Sequence, residues 1–167
     1  MEYRIRPART GDVRAIRRLV DANVASGRLL DKATVTLYED VQEFVVAARA
    51  GDGEVIGCGA LHVMWEDLAE IRTIAVDQRC QREGVGQLIV EALLARGRQL
   101  GVRRVFVLTF AVKFFGRLGF EEISGEAASA EVYAELLRSY DEGVAEFLDL
   151  DRVKPNTLGN TRMLLRL

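Results

Sequence analysis

The chain has 167 residues, of which 49% are hydrophobic and 29% charged, and its formal net charge at pH 7 is −2. This composition supplies enough apolar surface for one domain, residues 1–167, and it excludes a wholly disordered chain. A charge so close to zero argues against nucleic acid as the main partner, because neutralising phosphates requires a clustered basic excess.

The sequence predicts no membrane segment, metal site or disulfide framework. Its longest uncharged run is the eleven residues from Val55 to Trp65, well short of the ~20 apolar residues that cross a bilayer. The opening residues lack the apolar stretch of a secretory signal. Two cysteines, Cys58 and Cys80, are too few for a disulfide framework or a zinc site. We therefore expect a cytoplasmic protein without a membrane partner.

The predicted elements mix strands and helices along the whole chain. The first half is predicted to hold a strand at Tyr3–Arg6, a helix capped by Thr10 or Asp12, a short helix at Thr36–Val41, and strands at Phe44–Ala48, Val55–Val63 and Glu70–Val76. The second half is predicted to hold a helix from Val85 to Leu100, a strand at Val105–Phe110, a short helix around Phe114, extended chain at Phe120–Ile123, helical residues 128–148 and a final strand at Thr161–Leu167. This order predicts antiparallel hairpins followed by one strand–helix–strand crossover.

The most informative segment is Gln81-x-x-Gly84-x-Gly86, which joins a strand to an amphipathic helix. Glycines let the backbone approach an anion, and successive N–H groups at a helix start form a concave array of donors. The pattern therefore predicts a diphosphate site. It is neither the dinucleotide fingerprint nor a P-loop, because no Gly-Lys-Ser/Thr follows. For this pattern alone, a glycine-rich helix start without a ligand is the alternative.

Together with Phe114-Phe115-x-x-Leu118-Gly119-Phe120, the glycine pattern resembles the GNAT superfamily of acyl-CoA-dependent N-acyltransferases. The resemblance implies a mixed α/β fold, with a central and mostly antiparallel sheet, one splayed parallel strand pair and flanking helices. It also implies that acetyl-CoA is the co-substrate. The glycine loop would hold the diphosphate, and the backbone of the preceding strand would pair with the pantetheine. The implied coenzyme residues are Ile74, Ala75, Val76, Gln81, Arg82, Glu83, Gly84, Val85, Gly86 and Gln87.

Four further segments are similar to the acetyltransferase domain of N-acetylglutamate synthase. They are Gly57–His62, Glu70–Val76, Arg104–Thr109 and the tail Gly143–Asn160. The tail resembles the short actinobacterial form, which makes the first intermediate of arginine biosynthesis. The resemblance implies an amino-acid acetyltransferase that acts on L-glutamate or L-glutamine. It also implies a homodimer, because GNAT-like proteins commonly pair.

Acetyl transfer to an amine requires a base, because the amine is an ammonium ion at neutral pH. Glu70 matches the glutamate at this strand position in the resembling synthases. A carboxyl group inside a mostly apolar strand is expected to have a raised pKa. The alternative is a surface glutamate paired with Arg72. Main-chain N–H groups of Thr73 or Ile74 would meet the oxyanion in the family geometry.

At the position that would protonate the leaving thiolate, the sequence differs from the superfamily that it resembles. Many members have a tyrosine where this chain has Phe115, which has no proton to give. Thr109 matches a hydroxyl residue implicated in the resembling synthases and is our candidate, alone or with a water. The alternative is that Thr109 is simply a β-branched strand residue. A thiol with a pKa of ~8.5 also leaves adequately as thiolate.

Cationic side chains are expected to bind the carboxylates of an acidic acceptor, since an arginine fork matches a carboxylate with two hydrogen bonds. The cationic candidates are Arg72, Arg138, Lys154 and Arg162, and uncharged Asn160 is a further candidate, in the same distinctive tail as Lys154. Arg72 shares a strand face with Glu70 by alternation, and Arg138 falls where the family gathers its acceptor-binding arginines. Each of them, taken singly, is also explained as a solvated surface residue.

Two residues that attract attention are expected to be structural. His62, the single histidine, lies in an apolar strand and is expected to be hydrogen-bonded there. Cys58 is expected to be a small buried hydrophobic residue, so no acyl-enzyme is predicted. Two other functions stay open: a GNAT enzyme that acts on an unrelated amine, and a non-catalytic acyl-CoA sensor, which Phe115 favours.

Overall fold

The computed structural model describes residues 2–25, 29, 32–125, 128–148 and 159–167. The strands in these residues are β1 (Tyr3–Pro7), β2 (Phe44–Arg49), β3 (Val55–Trp65), β4 (Leu68–Val76), β5 (Arg104–Thr109), β6 (Glu121–Glu122) and β7 (Thr161–Arg166). The helices are α1 (Val13–Ala25), α2 (Thr34–Glu39), α3 (Val85–Gln99), α4 (Val112–Arg117), α5 (Ala130–Leu136) and α6 (Glu142–Phe147).

The strands form a seven-stranded sheet in the order β1-β2-β3-β4-β5-β7-β6. The pairs β1–β2, β2–β3, β5–β7 and β6–β7 are antiparallel. The central pair, β4 and β5, is parallel, with a register from Leu68↔Arg104 to Glu70↔Phe106. Beyond this register β4 continues to Val76 and β5 to Thr109. The predicted mixed α/β fold with one parallel pair in a mostly antiparallel sheet is confirmed.

The chain divides into two compact units. The first consists of Met1–His62 and Ile71–Leu100. One apolar cluster of this unit joins side chains of α1, α2, β2, β3 and β4: Val13, Ile16, Leu19, Val20, Leu37, Phe44, Val46, Val55, Cys58, Ala60 and Ala75. Helix α3 packs closely on β3, because a Cβ added to Gly59 would lie 2.7 Å from Ile89 Cγ2 and 3.2 Å from Leu93 Cδ1. A larger residue at Gly59 would push the helix away.

The second unit consists of Val63–Glu70 and Gly101–Leu167. Its buried cluster contains Met64, Leu68, Phe106, Leu136, Val144, Phe147 and Leu148. The rings of Phe106 and Phe147 meet edge to face with centroids 5.3 Å apart, a favourable aromatic arrangement. This contact fixes α6 against β5.

The predicted helical stretch 128–148 is interrupted in the structure. Asp141 Oδ1 accepts hydrogen bonds from the N–H groups of Gly143 (2.9 Å) and Val144 (3.3 Å), and Ser139 Oγ accepts one from Asp141 N–H at 3.1 Å. These side chains take over backbone donors that a continuous helix would use, so α6 starts anew. Helix α2 lies two residues earlier than predicted, and the other predicted elements agree within a few residues.

No helix among the described residues is long and apolar enough to cross a membrane. In the same residues no group of three or more His, Cys, Asp or Glu side chains is arranged to hold a metal ion. That residues 1–167 form one domain stays a prediction.

Candidate functional site

The loop between β4 and α3 has unusual backbone geometry at two positions. Arg82 has a φ of +69° and Gly84 one of +81°, and α3, which is 15 residues long, starts directly after Gly84. A Cβ on Gly84 would meet nothing within 4 Å, so the space beside this residue is open. Because the first N–H groups of a long helix carry a positive partial charge, the loop is suited to an anion such as a diphosphate.

Most loop residues that the resemblance assigns to the coenzyme face solvent. Gln81, Arg82, Glu83 and Gly84 are exposed, whereas Val85 is buried. The hydroxyl of Tyr3 donates a hydrogen bond to the Glu83 carboxylate, and this bond raises the pKa of Tyr3. Gln87 donates to Glu91 on the next turn of α3 at 2.7 Å. The hydrogen bond between Tyr3 and Glu83 therefore links strand β1 to the loop.

Strand β4 contains one residue with a strained backbone, Thr73. Thr73 is buried and has a φ of +58°, which is rare for a β-branched residue. Its carbonyl accepts a hydrogen bond from the Cys58 thiol at 3.7 Å. Strain of this kind persists only where the surroundings hold it, and it is frequent at functional sites. The N–H groups of Thr73 and Ile74 are the predicted oxyanion donors.

The thiol of Cys58 is completely buried. Burial raises its pKa to about 12, because a thiolate is poorly solvated there. The structural role expected for Cys58 agrees with this burial.

Arg72 lies in a cluster of charged side chains of the first unit. Its Nη2 is 3.2 Å from Glu43 Oε2 and 3.7 Å from Asp40 Oδ2, and its side chain is 12% exposed. Glu43 Oε1 is 2.7 Å from His62 Nδ1, so the expected hydrogen bond of His62 is confirmed. Burial and the charge of Glu43 raise the pKa of Asp40, against the effect of Arg72. Sequence reasoning missed Glu43, because its partners are distant in the chain.

The predicted base, Glu70, is buried in the second unit with 4% of its surface exposed. Its carboxyl group lies against the first turn of α6: a Cβ on Gly143 would be 2.8 Å from Glu70 Cδ and 3.0 Å from Asp141 Oδ1. This burial disagrees with the alternative of a surface glutamate. Asp141 and Gly143 were missed, although Ser139 and Asp141 are helix-capping signals in the sequence.

Thr109 ends β5 and is buried. Its Oγ1 accepts a hydrogen bond from Ala111 N–H at 2.9 Å, so the hydroxyl hydrogen can be donated to another acceptor. Phe115 is buried between Phe114 and Phe120, with ring centroids 5.0 and 5.2 Å away. Its aromatic ring therefore has a packing role.

The other predicted acceptor residues lie in different environments. Arg138 follows α5 with a side chain that is 78% exposed, and its Nη1 lies 3.6 Å from Glu135. Arg162, on β7, donates to the carbonyl of Phe147, and Asn160 directly precedes β7 and is half-buried. Lys154 lies outside the described residues.

Comparison with known proteins identifies the family. The acetyltransferase (GNAT) family profile matches residues 17–120. The chain is also 59% identical over 162 residues to the amino-acid acetyltransferase of Mycobacterium tuberculosis. This alignment covers 96% of this chain and 92% of that protein. The chain belongs to the GNAT family of acetyltransferases. As a GNAT enzyme it uses acetyl-CoA, and the predicted family, enzyme class and co-substrate are confirmed.

Solved structures agree with this assignment. Rv2747 from M. tuberculosis, crystallised in complex with CoA and NLQ, is 58% identical with a TM-score of 0.93, covering 98% of this GNAT chain and 99% of that one. The N-acetylglutamate synthase of Neisseria gonorrhoeae, complexed with coenzyme A and N-acetyl-glutamate, has a TM-score of 0.78 at 23% identity. The match covers 100% of this chain and 35% of the synthase, and at this identity it supports the fold alone.

Proposed function

We propose that this GNAT enzyme is an amino-acid N-acetyltransferase, which moves the acetyl group of acetyl-CoA to the α-amine of L-glutamate or L-glutamine. The observation that carries the proposal is the 59% identity to the M. tuberculosis amino-acid acetyltransferase over 92% of that protein. Two further features support the proposal: the buried carboxyl group of Glu70 would serve as the base, and the glycine loop would bind the diphosphate of the coenzyme.

In this proposal the amine attacks the thioester carbonyl directly. Glu70 first takes one proton from the ammonium group, directly or through one water. The neutral amine then forms the N–C bond, the C–S bond breaks, and the second nitrogen proton ends on the sulfur of the released thiol. Because Glu70 is almost fully buried, bulk water is kept away from the proton that it receives. We assign Glu70 the role of general base.

Main-chain donors and one hydroxyl complete the proposed chemistry. The N–H groups of Thr73 and Ile74 would stabilise the oxyanion, and the strained φ of Thr73 turns the backbone of β4 at that point. Thr109, whose Oγ1 accepts from Ala111 N–H, would pass its hydroxyl proton to the departing thiolate and regain one from the acceptor nitrogen, so that the hydroxyl is restored. The proposed coenzyme site consists of Gln81 to Gln87 and the backbone of Ile74, Ala75 and Val76.

Among the proposed acceptor residues, Arg72 has the strongest support. Its guanidinium is largely shielded from water, so a carboxylate bound there would gain more than at a surface arginine. Asn160, Arg162 and Lys154 remain proposals as acceptor-binding residues. For Arg138, the exposed side chain and its neighbour Glu135 give no structural support.

We also propose the first step of arginine biosynthesis as the metabolic role, the cytoplasm as the location and a homodimer as the assembly. The 59% identity to the M. tuberculosis amino-acid acetyltransferase supports the metabolic role, and sedimentation of the purified protein tests the assembly.

Thiol release from acetyl-CoA by the purified protein tests the proposed function, with L-glutamate, L-glutamine and a panel of other amines as acceptors. Release that depends on glutamate or glutamine is expected and would rank the two. Release with an unrelated amine alone would contradict the proposed acceptor. Coenzyme A binding without release by any amine would indicate a sensor.

A further inference from the structure

Glu43 occupies the centre of the charged cluster around Arg72. One carboxylate oxygen binds Arg72 on β4, and the other binds His62 on β3. A carboxylate only accepts hydrogen bonds, so His62 Nδ1 is the donor in this pair. With both oxygens engaged, the side chain of Glu43 is held in one orientation.

We propose that Glu43 and His62 are positioning residues for acceptor binding: His62 holds Glu43, and Glu43 aims the guanidinium of Arg72 at the acceptor carboxylate. This inference rests on the proposed function, in which Arg72 binds that carboxylate.

The geometry of a guanidinium explains why one anchored nitrogen is sufficient. The group is planar and presents its five N–H donors in a rigid fork. Holding Nη2 on Glu43, together with the attachment of the side chain to β4, restricts the directions in which the rest of the fork can point. An arginine ordered during folding does not have to be ordered when the acceptor binds, and binding is correspondingly tighter.

Glu43 is a better anchor for Arg72 than Asp40, the second acid in the cluster. The contact of Asp40 Oδ2 with Arg72 Nη2 is 3.7 Å, longer than the 3.2 Å contact of Glu43 Oε2 with the same nitrogen. Burial and the charge of Glu43 also raise the pKa of Asp40, so its carboxyl group holds a negative charge less readily. Removing Glu43 is therefore expected to affect Arg72 more than removing Asp40.

A purely structural ion-pair network would change stability without changing the affinity for one substrate. Steady-state kinetics separate the two roles through the KM for the amino acid and the KM for acetyl-CoA. The matched control is Asp67→Asn, which breaks another half-buried pair, between Asp67 and Arg104 at 2.9 Å. This control is expected to leave both KM values unchanged.

Glu43→Gln is expected to raise the KM for the amino acid about tenfold, because a charge-assisted hydrogen bond is lost. The KM for acetyl-CoA should stay the same. In the Arg72→Gln background, Glu43→Gln should change the KM by no more than about twofold, since Glu43 acts through Arg72. His62→Leu, a second variant in case the first does not fold, should raise the same KM by a smaller factor.

Different results overturn different claims. An unchanged KM for the amino acid in a folded Glu43→Gln protein, or a full additional effect in the Arg72→Gln background, would overturn the positioning role alone. Acetylation of no amino acid by the wild-type protein would overturn the proposed function and this inference with it.

Discussion

The carboxyl group of Glu70 lies directly against the α-carbon of Gly143. A Cβ at position 143 would come within 2.8 Å of Glu70 Cδ, which is closer than real Cβ contacts allow. Because Glu70 is on β4 and Gly143 in the first turn of α6, this glycine lets a short helix pack on the proposed base. The position of α6 and the position of the base are therefore linked.

Gly143→Ala is expected to displace Glu70 and to lower kcat by about 10²-fold, since small misplacements of a reacting group cost this much. The affinity for coenzyme A, measured by calorimetry, should be unchanged. Gly116→Ala is the matched control, because a Cβ on this glycine of α4 meets nothing within 4 Å. Equal kcat values for the two variants would contradict the link between Gly143 and the base.

Glu70→Gln is expected to lower kcat by about 10²- to 10⁴-fold, the usual contribution of a general base. Coenzyme A should still bind, because Gln is similar to Glu in shape and the coenzyme loop is untouched. Glu121→Gln, an exposed residue of β6, serves as control and should keep full turnover. Loss of coenzyme binding by a folded Glu70→Gln protein would count against the proposed role.

Gly84→Ala tests the proposed diphosphate site. Gly84 and Gly53 both have positive φ, +81° and +73°, and both would have open space around a Cβ. Each Ala variant should therefore be destabilised by about 1 kcal/mol from backbone strain. Only Gly84→Ala should also weaken the binding of coenzyme A, measured by calorimetry; equal affinities in the two variants would place the diphosphate elsewhere.

Asp77, directly after β4, makes the stability of the protein depend on pH. Hydrogen bonds from Arg79 lower the pKa of Asp77 to about 2, from an ordinary value of 3.8. A lowered pKa in the folded state stabilises the fold above pH 3.8, and this stabilisation is lost as the pH falls through about 2. Because the Arg79 side chain is largely exposed, we expect its ion pair with Asp77 to contribute about 1 kcal/mol to the free energy of unfolding.

Asp77→Asn should therefore lower the free energy of unfolding in urea at neutral pH, and the difference from wild type should shrink as the pH falls from 3.8 towards 2. Asp21→Asn, which breaks a pair with Arg17, should have a smaller effect, because the side chain of Asp21 is 59% exposed and that of Asp77 only 16%. If the difference between Asp77→Asn and wild type grows on acidification, the ionised carboxylate of Asp77 does not stabilise the fold.

The sequence predicted the elements whose signals are local. The apolar spacing of α1 and α3 and the glycine loop are read from neighbouring residues, and the structure agrees with them. Even the interruption between α5 and α6 had a local signal, since Ser139 and Asp141 favour helix starts. The helix-forming composition of residues 128–148, with apolar residues at helical spacing throughout, concealed it.

Contacts between distant residues were outside the reach of sequence reasoning. Glu43 directly precedes β2, and it meets His62 on β3 and Arg72 on β4 because these three strands lie side by side. No spacing in the chain encodes that contact. The contact of Gly143 with Glu70 depends in the same way on where α6 packs. For Thr73, a β-branched residue predicts an ordinary extended backbone, and the strained φ arises from tertiary structure.

Identification of the product by NMR tests the central claim most directly. Wild-type protein is mixed with acetyl-CoA labelled in the acetyl group and with L-glutamate or L-glutamine. We expect a labelled acetyl group on the α-nitrogen of the amino acid, formed together with one free thiol. Labelled acetyl-CoA that stays intact with both amino acids, in a protein that binds coenzyme A, would contradict it.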